Sequence, residues 1–422
     1  MQVPLLASPR VIQVPTAGAA LGVGDAMRLA LAHNPDIQST ATLIAQEDAA
    51  VRVARETWFP TAGLSLGTNY ASVGGVGGSG FGSLQLSNQG SLNVNKTVAD
   101  FGQTRTRVAA AEAAVAGARA TLLEKQEDVV LAVRQQYFTA LADTEIVTID
   151  EASVGDQEKH LQQAQAFYRV GAKSRLDVAQ AETSLAQSRL TLVQAVTTRN
   201  RDYVNLNVTM GLPSNAPYQL SDASPVLATS DTGWHDLAWT QRPDMLSLET
   251  QIVGARANLS LAHMGFNPIV TSTGYLSMFS AQGTTTPGFG LGFGVSLPIL
   301  DAGAARAAVE SSQAVLEGLL AQQVSLHNTI YQAVENDLQA VQQARVSVSV
   351  AETGVRSAQE SYHLANRRYQ EGLGSSLDFL DAQVANSQAQ SALVSARTQV
   401  RLAEAQLDHD SGRIDFIQAL TH

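Results

Sequence analysis

Proline breaks the interior of a helix at a cost of about 3 kcal/mol, so the stretches from which a chain excludes it are those where long helices can run. All twelve prolines of this 422-residue chain fall into a few places. Pro60 to Pro213 encloses one proline-free tract, and everything after Pro298 is another. Aromatic residues make up only 5 % of the sequence and charged residues 15 %, while Ala, Gln, Ser and Val crowd it. Such a composition suits helices packed closely on more than one side. Length alone would divide the chain into two or three globular domains; this pattern predicts extended helices instead.

The second half of the chain repeats the first. Asn34-Pro35-Asp36 matches Arg242-Pro243-Asp244, and Phe59-Pro60 matches Asn267-Pro268, each about 208 positions on. Further along the offset is about 201: Asp100-Phe101-Gly102 matches Asp301-Ala302-Gly303, and Tyr168 to Gly171 followed by Leu176-Asp177 matches Tyr369 to Gly372 followed by Leu377-Asp378. The offset changes between Pro60 and Asp100, which makes the Gly-rich segment Val73 to Gly82 a hairpin loop. The division that follows is 1–213 for the first repeat, 214–240 for an equatorial inter-repeat segment, 241–412 for the second repeat and 413–422 for a tail.

Each repeat predicts the same parts: a helix of roughly 25 residues, two strands, a very long helix, a tight turn and a shorter return helix. Val108, Val115, Leu122 and Val129 recur every seven positions in the first long helix, as do Val334, Val341, Val348, Val355, Tyr362 and Tyr369 in the second. Sustained heptads specify a coiled-coil seam, and the Ala-rich flank Ala109 to Ala120 leaves room for a second neighbour. From Gly102 to Val170 a helix would span roughly 100 Å at 1.5 Å per residue. The return helix from Arg175 to about Val208 covers about half of that. The helix from Pro35 to Phe59, stacked on its end, would supply the other half.

Several function classes are excluded early. There is no cysteine, which removes disulfides, thiolate metal sites and a Cys nucleophile. A net charge of −11 without a basic stripe argues against nucleic acid as a partner. His263, His327 and His363 have no partner at ligand spacing, no Gly-rich phosphate loop follows a strand, since Gly74 to Gly82 reads as a flexible barrel loop, and no nucleophile and base can be paired. No metal, no cofactor and no enzymatic activity is expected. Met1 to Gly24 lacks the basic and apolar regions of a signal peptide and reads as the start of a mature chain without a lipid-anchoring cysteine. No run approaches the roughly 20 apolar residues of a spanning helix, so any membrane role falls to strands.

Strand patterns sit where each repeat has its non-helical insert. Leu84, Leu86, Leu92, Val94 and Val98 alternate with polar residues, and Phe289, Leu291, Phe293, Val295, Leu297 and Ile299 alternate with Gly290, Gly292, Gly294 and Ser296. The strands near Leu64 to Tyr70 and Ile269 to Phe279 alternate less cleanly. Four strands cannot close a barrel, and open edges in hydrocarbon leave backbone groups unpaired at several kcal/mol each. Three copies would give twelve strands with twelve pseudo-continuous helices beneath them. The fold class predicted is therefore mainly α with a small β part: a tandem-duplicated protomer of a homotrimer, its 12-stranded transmembrane β-barrel, surrounded by outer-membrane lipid, continued by a 12-helix periplasmic α-barrel.

With the duplication, the two Pro-flanked strand pairs and the Tyr-x-x-Gly turns of Tyr168 to Asp177 and Tyr369 to Asp381, the chain resembles the TolC-type outer-membrane efflux protein family over about Leu21 to Gly412. The resemblance implies a trimeric duct in the bacterial outer membrane. Its periplasmic tip would dock onto an adaptor (membrane fusion) protein bound to an inner-membrane transporter. It implies efflux of drugs or other small molecules, or the exit duct of a type I protein secretion system. A structural coiled-coil envelope protein is the reading from another class; it would not need amphipathic strand pairs.

At the tip, Gly171 and Gly372 each end a long helix as left-handed caps, and Ser174 with Asp177 and Ser375 with Asp378 have the spacing that caps the helix that follows. The resemblance places adaptor docking at Val170, Gly171, Ala172, Gly372 and Leu373. Asp378 and Asp381 lie three apart and share a helix face. By resemblance that face lines the narrow end of the tunnel, where three chains would gather six carboxylates. In the family a tyrosine, an arginine and acidic residues hold the closed tip. Tyr369 and Asp177 match, but Gly374 stands where the arginine would be, leaving Lys173, Arg175 or Arg368 to supply the positive partner.

Overall fold

A computed structural model describes residues 18–72, 84–221, 233–281 and 284–413. The expected hairpin loop at Val73 to Gly82, the start of the chain through residue 17, the middle of the inter-repeat segment and the tail beyond Arg413 lie outside them. The protein is mostly helical with a small sheet part. Its elements run α2 (Pro35–Arg55), β2 (Thr61–Ser72), β3 (Leu84–Ala99), α3 (Gln103–Arg169) and α4 (Arg175–Thr209), then α6 (Pro243–His263), β5 (Ile269–Ala281), β6 (Thr284–Ser296), α7 (Ala304–Gln370) and α8 (Ser376–Asp410). The long helices have 67 residues each and the return helices 35 each. Ahead of each set lies a helix not foreseen from the sequence, α1 (Val23–His33) and α5 (Trp234–Gln241), and a short parallel pair joins β1 (Ala20–Leu21) to β4 (Gln219–Leu220).

The chain forms two units, each drawing on both repeats: one takes Met1–Thr40, Leu122–Met245 and Leu326–His422, the other Ala41–Thr121 and Leu246–Ser325. In the second unit the sheet has the order β2-β3-β5-β6, antiparallel throughout. Direct partners such as Leu64, Leu92, Leu276 and Phe289 put most of the apolar residues of the four strands on one face. Phe289, Leu291, Phe293 and Val295 of β6 are 84, 90, 82 and 70 % exposed there. The opposite face carries Ser91, Asn93 and Asn95 from β3 and Gly288 to Gly294 from β6. It also carries Tyr275 and Phe279, which explains the poor alternation of β5. β6 stops at Ser296 rather than Ile299, because Pro298 cannot donate to a ladder.

Each long helix opens in the same way. The carboxylate of Asp100 accepts from the amides of Gly102 (3.2 Å) and Thr104 (2.6 Å), and that of Asp301 accepts from Gly303 (3.0 Å) and Ala305 (2.6 Å). These bonds satisfy helix-start donors and hold Phe101 and Ala302 at φ of 52° and 54°, a conformation that costs a non-glycine residue roughly 1–2 kcal/mol.

In the first unit the heptad positions turn inward. Val129, Val334, Val341 and Tyr369 are buried, while Leu122, Val348, Val355 and Tyr362 are half-buried. The buried hydroxyl of Tyr137 ties the β1–β4 pair to α3: it faces the carbonyls of Leu21 (2.7 Å) and Ser221 (2.9 Å) and accepts from the Ser221 amide (3.0 Å). Arg134 and Asp408, almost fully enclosed, pair at 2.9 Å between α3 and α8.

The expected end-to-end stacking has its joint here too. Just past the end of α4 comes Gly211, whose φ is +78° and whose absent Cβ would lie 2.5 Å from the carbonyl oxygen of His33, the last residue of α1, two positions before α2 begins. Asn34 closes the joint by donating to the Thr209 carbonyl at 2.9 Å. In the second repeat Gly412 (φ +67°) abuts Arg242, whose guanidinium donates to the Asp410 carbonyl at 2.9 Å.

Candidate functional site

The candidate site is the pair of turns that join α3 to α4 and α7 to α8, both in the first unit. Gly171 and Gly372 take φ of +74° and +76°. In each turn two amides fold back on the helix end: Gly171 to Tyr168 (3.0 Å) and Ala172 to Phe167 (2.9 Å), then Gly372 to Tyr369 (3.0 Å) and Leu373 to Arg368 (2.9 Å). This is the left-handed glycine cap that the Tyr-x-x-Gly spacing predicts. Reciprocal capping boxes follow, with Ser174 and Asp177 on α4 and Ser375 and Asp378 on α8. The hydroxyl and amide of Ser174 hold the Asp177 carboxyl below the usual range, against a smaller opposing effect of burial and with help from Lys173.

One of the three possible cationic partners joins the two turns. Lys173 donates to the Gly374 carbonyl at 2.9 Å, and its ammonium lies 5.6 Å from the centre of the Tyr369 ring. Arg175 and Arg368 are exposed and make no ion pair among the described residues. Gly374 is buried, and a Cβ there would lie 3.0–3.2 Å from Tyr369 and Arg368 backbone and side-chain atoms. The turn is thus built around the absence of a side chain at Gly374.

Behind the turns lies an aromatic cluster. Tyr369, fully buried, packs with Phe379 and Leu380 of α8 and with Phe167 of α3. Burial, and after it the charge of Asp177, raises the Tyr369 hydroxyl above the usual phenol range. His160 of α3 enters the cluster, stacked on Phe379 at 4.4 Å and tilted against Tyr369 at 4.7 Å. Next to it Gln157 donates to Gln383 at 2.7 Å, and Tyr362 donates to Asp156 at 2.9 Å. Sequence reasoning passed over His160: its contacts lie more than 200 positions away and no local spacing announces them.

The expected docking residues are all exposed, Val170 at 77 % and Leu373 at 73 %. Asp378 and Asp381 are exposed as well; the carboxylate of Asp378 is engaged in its cap, whereas Asp381 has no such duty. Among the described residues no group of three or more His, Asp or Glu is placed to hold a metal ion, and no helix is long and apolar enough to cross a membrane. His327 stacks on Trp239 at 4.2 Å.

The sequence profile of the outer membrane efflux protein family matches residues 26–212 and again residues 234–413. The chain belongs to that family. Its place is the bacterial outer membrane. Among relatives, the toluene efflux pump outer membrane protein TtgC of Pseudomonas putida is 25 % identical over 396 residues, covering 90 % of this chain and 81 % of TtgC. The outer membrane efflux protein BepC of Brucella suis is 25 % identical over 397 residues, 90 % of this chain and 83 % of BepC. Among solved structures, the Campylobacter jejuni CmeC outer membrane channel superposes with a TM-score of 0.81 at 17 % identity, covering 94 % of this chain and 89 % of CmeC. The outer membrane protein VceC of Vibrio cholerae does so with 0.76 at 19 %, covering 92 and 96 %. This family member carries the family's fold.

Proposed function

We propose that three copies of this chain form a passive exit duct of a tripartite efflux system. Small molecules would pass from an inner-membrane transporter, through a periplasmic adaptor protein, to the exterior. The observation that carries the reading is the sheet: β2 and β6 are edges, and one face is a field of exposed Leu and Phe. Four strands with open edges have no stable place in hydrocarbon, whereas twelve closed on themselves do. The recurrence of element order and the double match to the family profile support a tandem duplication. Four pseudo-continuous helices per copy would give a ring of twelve. A type I secretion duct would use the same parts; the naming of TtgC and BepC for efflux favours small molecules.

Within this duct Lys173, Tyr369 and Asp177 act as the gate that holds the two turns together, with Lys173 in the role of the family's arginine. Asp378 and Asp381 line the constriction. Val170, Gly171, Ala172, Gly372 and Leu373 form the docking surface for the adaptor. The test is native mass measurement of the detergent-extracted protein followed by planar-bilayer recording. A trimer that conducts is expected; a monodisperse monomer with intact strand content would overturn the reading.

A further inference from the structure

His160 sits where three helices meet. It is 1 % exposed, and its ring packs against both Phe379 of α8 and Tyr369 of α7, which also touch each other. Its Nε2 is 3.1 Å from the hydroxyl of Ser376, the first residue of α8, itself 2 % exposed. Its Nδ1 is buried with no hydrogen-bond partner among the described residues, and so is the Tyr369 hydroxyl beside it. This geometry suits a neutral imidazole, which needs only one donor and one acceptor contact. An imidazolium has two N–H donors to satisfy, and one of them would point at nothing.

The surrounding charges do not rescue the cation. On α4, the charge of Asp177 acts on the ring, but that carboxylate is engaged by its cap and makes no hydrogen bond to it. On α7, Tyr362 is committed to Asp156 of α3, and Tyr369 lies under the ammonium of Lys173. On α8, Asp378 is turned to the Ser375 amide. Burial therefore outweighs the attraction of Asp177, and His160 is held neutral down to about 4.

We propose that His160 is a positioning residue of the gate: its neutral ring pins the α7–α8 turn to α3, and its protonation releases that turn, so that the duct opens when its turn side becomes acidic. The inference rests on the reading of the turns as a gate. Its sign follows from linkage. Once the turn has swung away the ring is solvated, with an ordinary affinity near pH 6.5. Between that pH and about 4 the released state binds the proton and the pinned state does not. Pinning is therefore at full strength above 6.5 and weakens continuously as pH falls, by a factor on the order of 100.

The experiment compares the full-length wild type with His160→Gln, whose amide keeps a partner for Ser376 but does not titrate. In planar bilayers, wild-type conductance should rise several-fold as the turn side is taken from pH 7.5 to 4.5. His160→Gln should lack that part of the rise, while carboxylates elsewhere contribute equally to both. Amide exchange of residues 369–383, corrected for intrinsic pH dependence and referenced to residues 168–182, should accelerate over the same range in wild type only. Matching pH profiles in the two proteins, or no acid acceleration of 369–383 in wild type, overturn the proposal. The second result needs no variant to fold. A chain that conducts without a histidine-dependent response removes this inference and leaves the duct; a chain that conducts at no pH removes both.

Discussion

Lys173 and Gly374 stand 201 positions apart in sequence, yet the ammonium of one donates to the carbonyl of the other at 2.9 Å. The bond crosses from the turn of the first repeat to that of the second, and the same ammonium faces the Tyr369 ring. Replacing Lys173 with Met keeps the aliphatic stem and removes the donor, a loss of about 1 kcal/mol per copy. Conductance at neutral pH is expected to rise several-fold with no change in oligomer mass, and Lys173→Arg should restore the closed level. An unaltered conductance in Lys173→Met would show that this contact does not hold the gate.

The constriction should favour cations. Rings of carboxylates set ion preference in pores, and Asp381, exposed and free of capping duty, is the residue to change. In bilayer recordings Asp381→Asn should lower the cation-to-anion permeability ratio and weaken block by trivalent cations added from the turn side. Thermal stability should stay within about 0.5 kcal/mol of wild type, as for other surface changes. Identical selectivity and block would remove Asp381 from the lining.

Glycines with similar φ should respond very differently. At Gly171 nothing lies within 4 Å of an added Cβ, so Gly171→Ala carries only the left-handed backbone cost of about 1 kcal/mol. At Gly211 the methyl would meet the His33 carbonyl at 2.5 Å, and Gly211→Ala is expected to cost about 3 kcal/mol or more. Thermal unfolding of the two variants side by side checks the ranking. Equal losses would contradict the close joint between α4 and α2.

A carboxylate pair gives stability a pH dependence of its own. Burial, reinforced by the neighbouring Asp410, pushes Asp337 up to about 7. Burial opposes ionisation of Asp410 too, but hydrogen bonds from His409 and Gln406 outweigh it and bring that group down to about 2. The two share one proton at acid pH. Because Asp337 is raised, its contribution is fully present below about 4 and is lost as pH climbs through about 7. Asp337→Asn keeps the uncharged form, so its melting temperature should match wild type near pH 3.5 and exceed it increasingly as pH rises, by a few degrees near pH 8. Parallel melting curves at both pH values would refute the assignment.

What the sequence disclosed and what it hid divide along a physical line. Helix ends, heptads and alternating strands are written in residues close to one another, so Gly171, Ser174, the Val334 series and Phe289 to Val295 could all be placed before any coordinates. α1 carried a readable signal as well, since Val23, Ala26, Met27 and Ala30 follow helical spacing and are buried together. Contacts between the repeats leave no such trace. Nothing local to Lys173, His160 or Gly374 reveals that they meet residues more than 200 positions away, and the role of Gly374 rests on crowding that only the folded turn creates.

The glycines of β6 have a consequence for what can pass. Gly288, Gly290, Gly292 and Gly294 leave the middle of one face of that strand bare, and the vacant room is taken by Ser277, Tyr275, Thr273 and Thr271 leaning across from β5; the Tyr275 ring lies where a Cβ on Gly290 would be. In a closed barrel the strand number fixes the diameter of the backbone ring. The clearance left for a solute is that diameter less whatever projects inward. In the trimer proposed above, three strands projecting no side chain inward from Gly288, Gly290, Gly292 and Gly294 would widen the mouth without an added strand. The calibre of the exit would then be tuned by side-chain volume along β5, residue by residue, while the wall facing lipid stays unchanged.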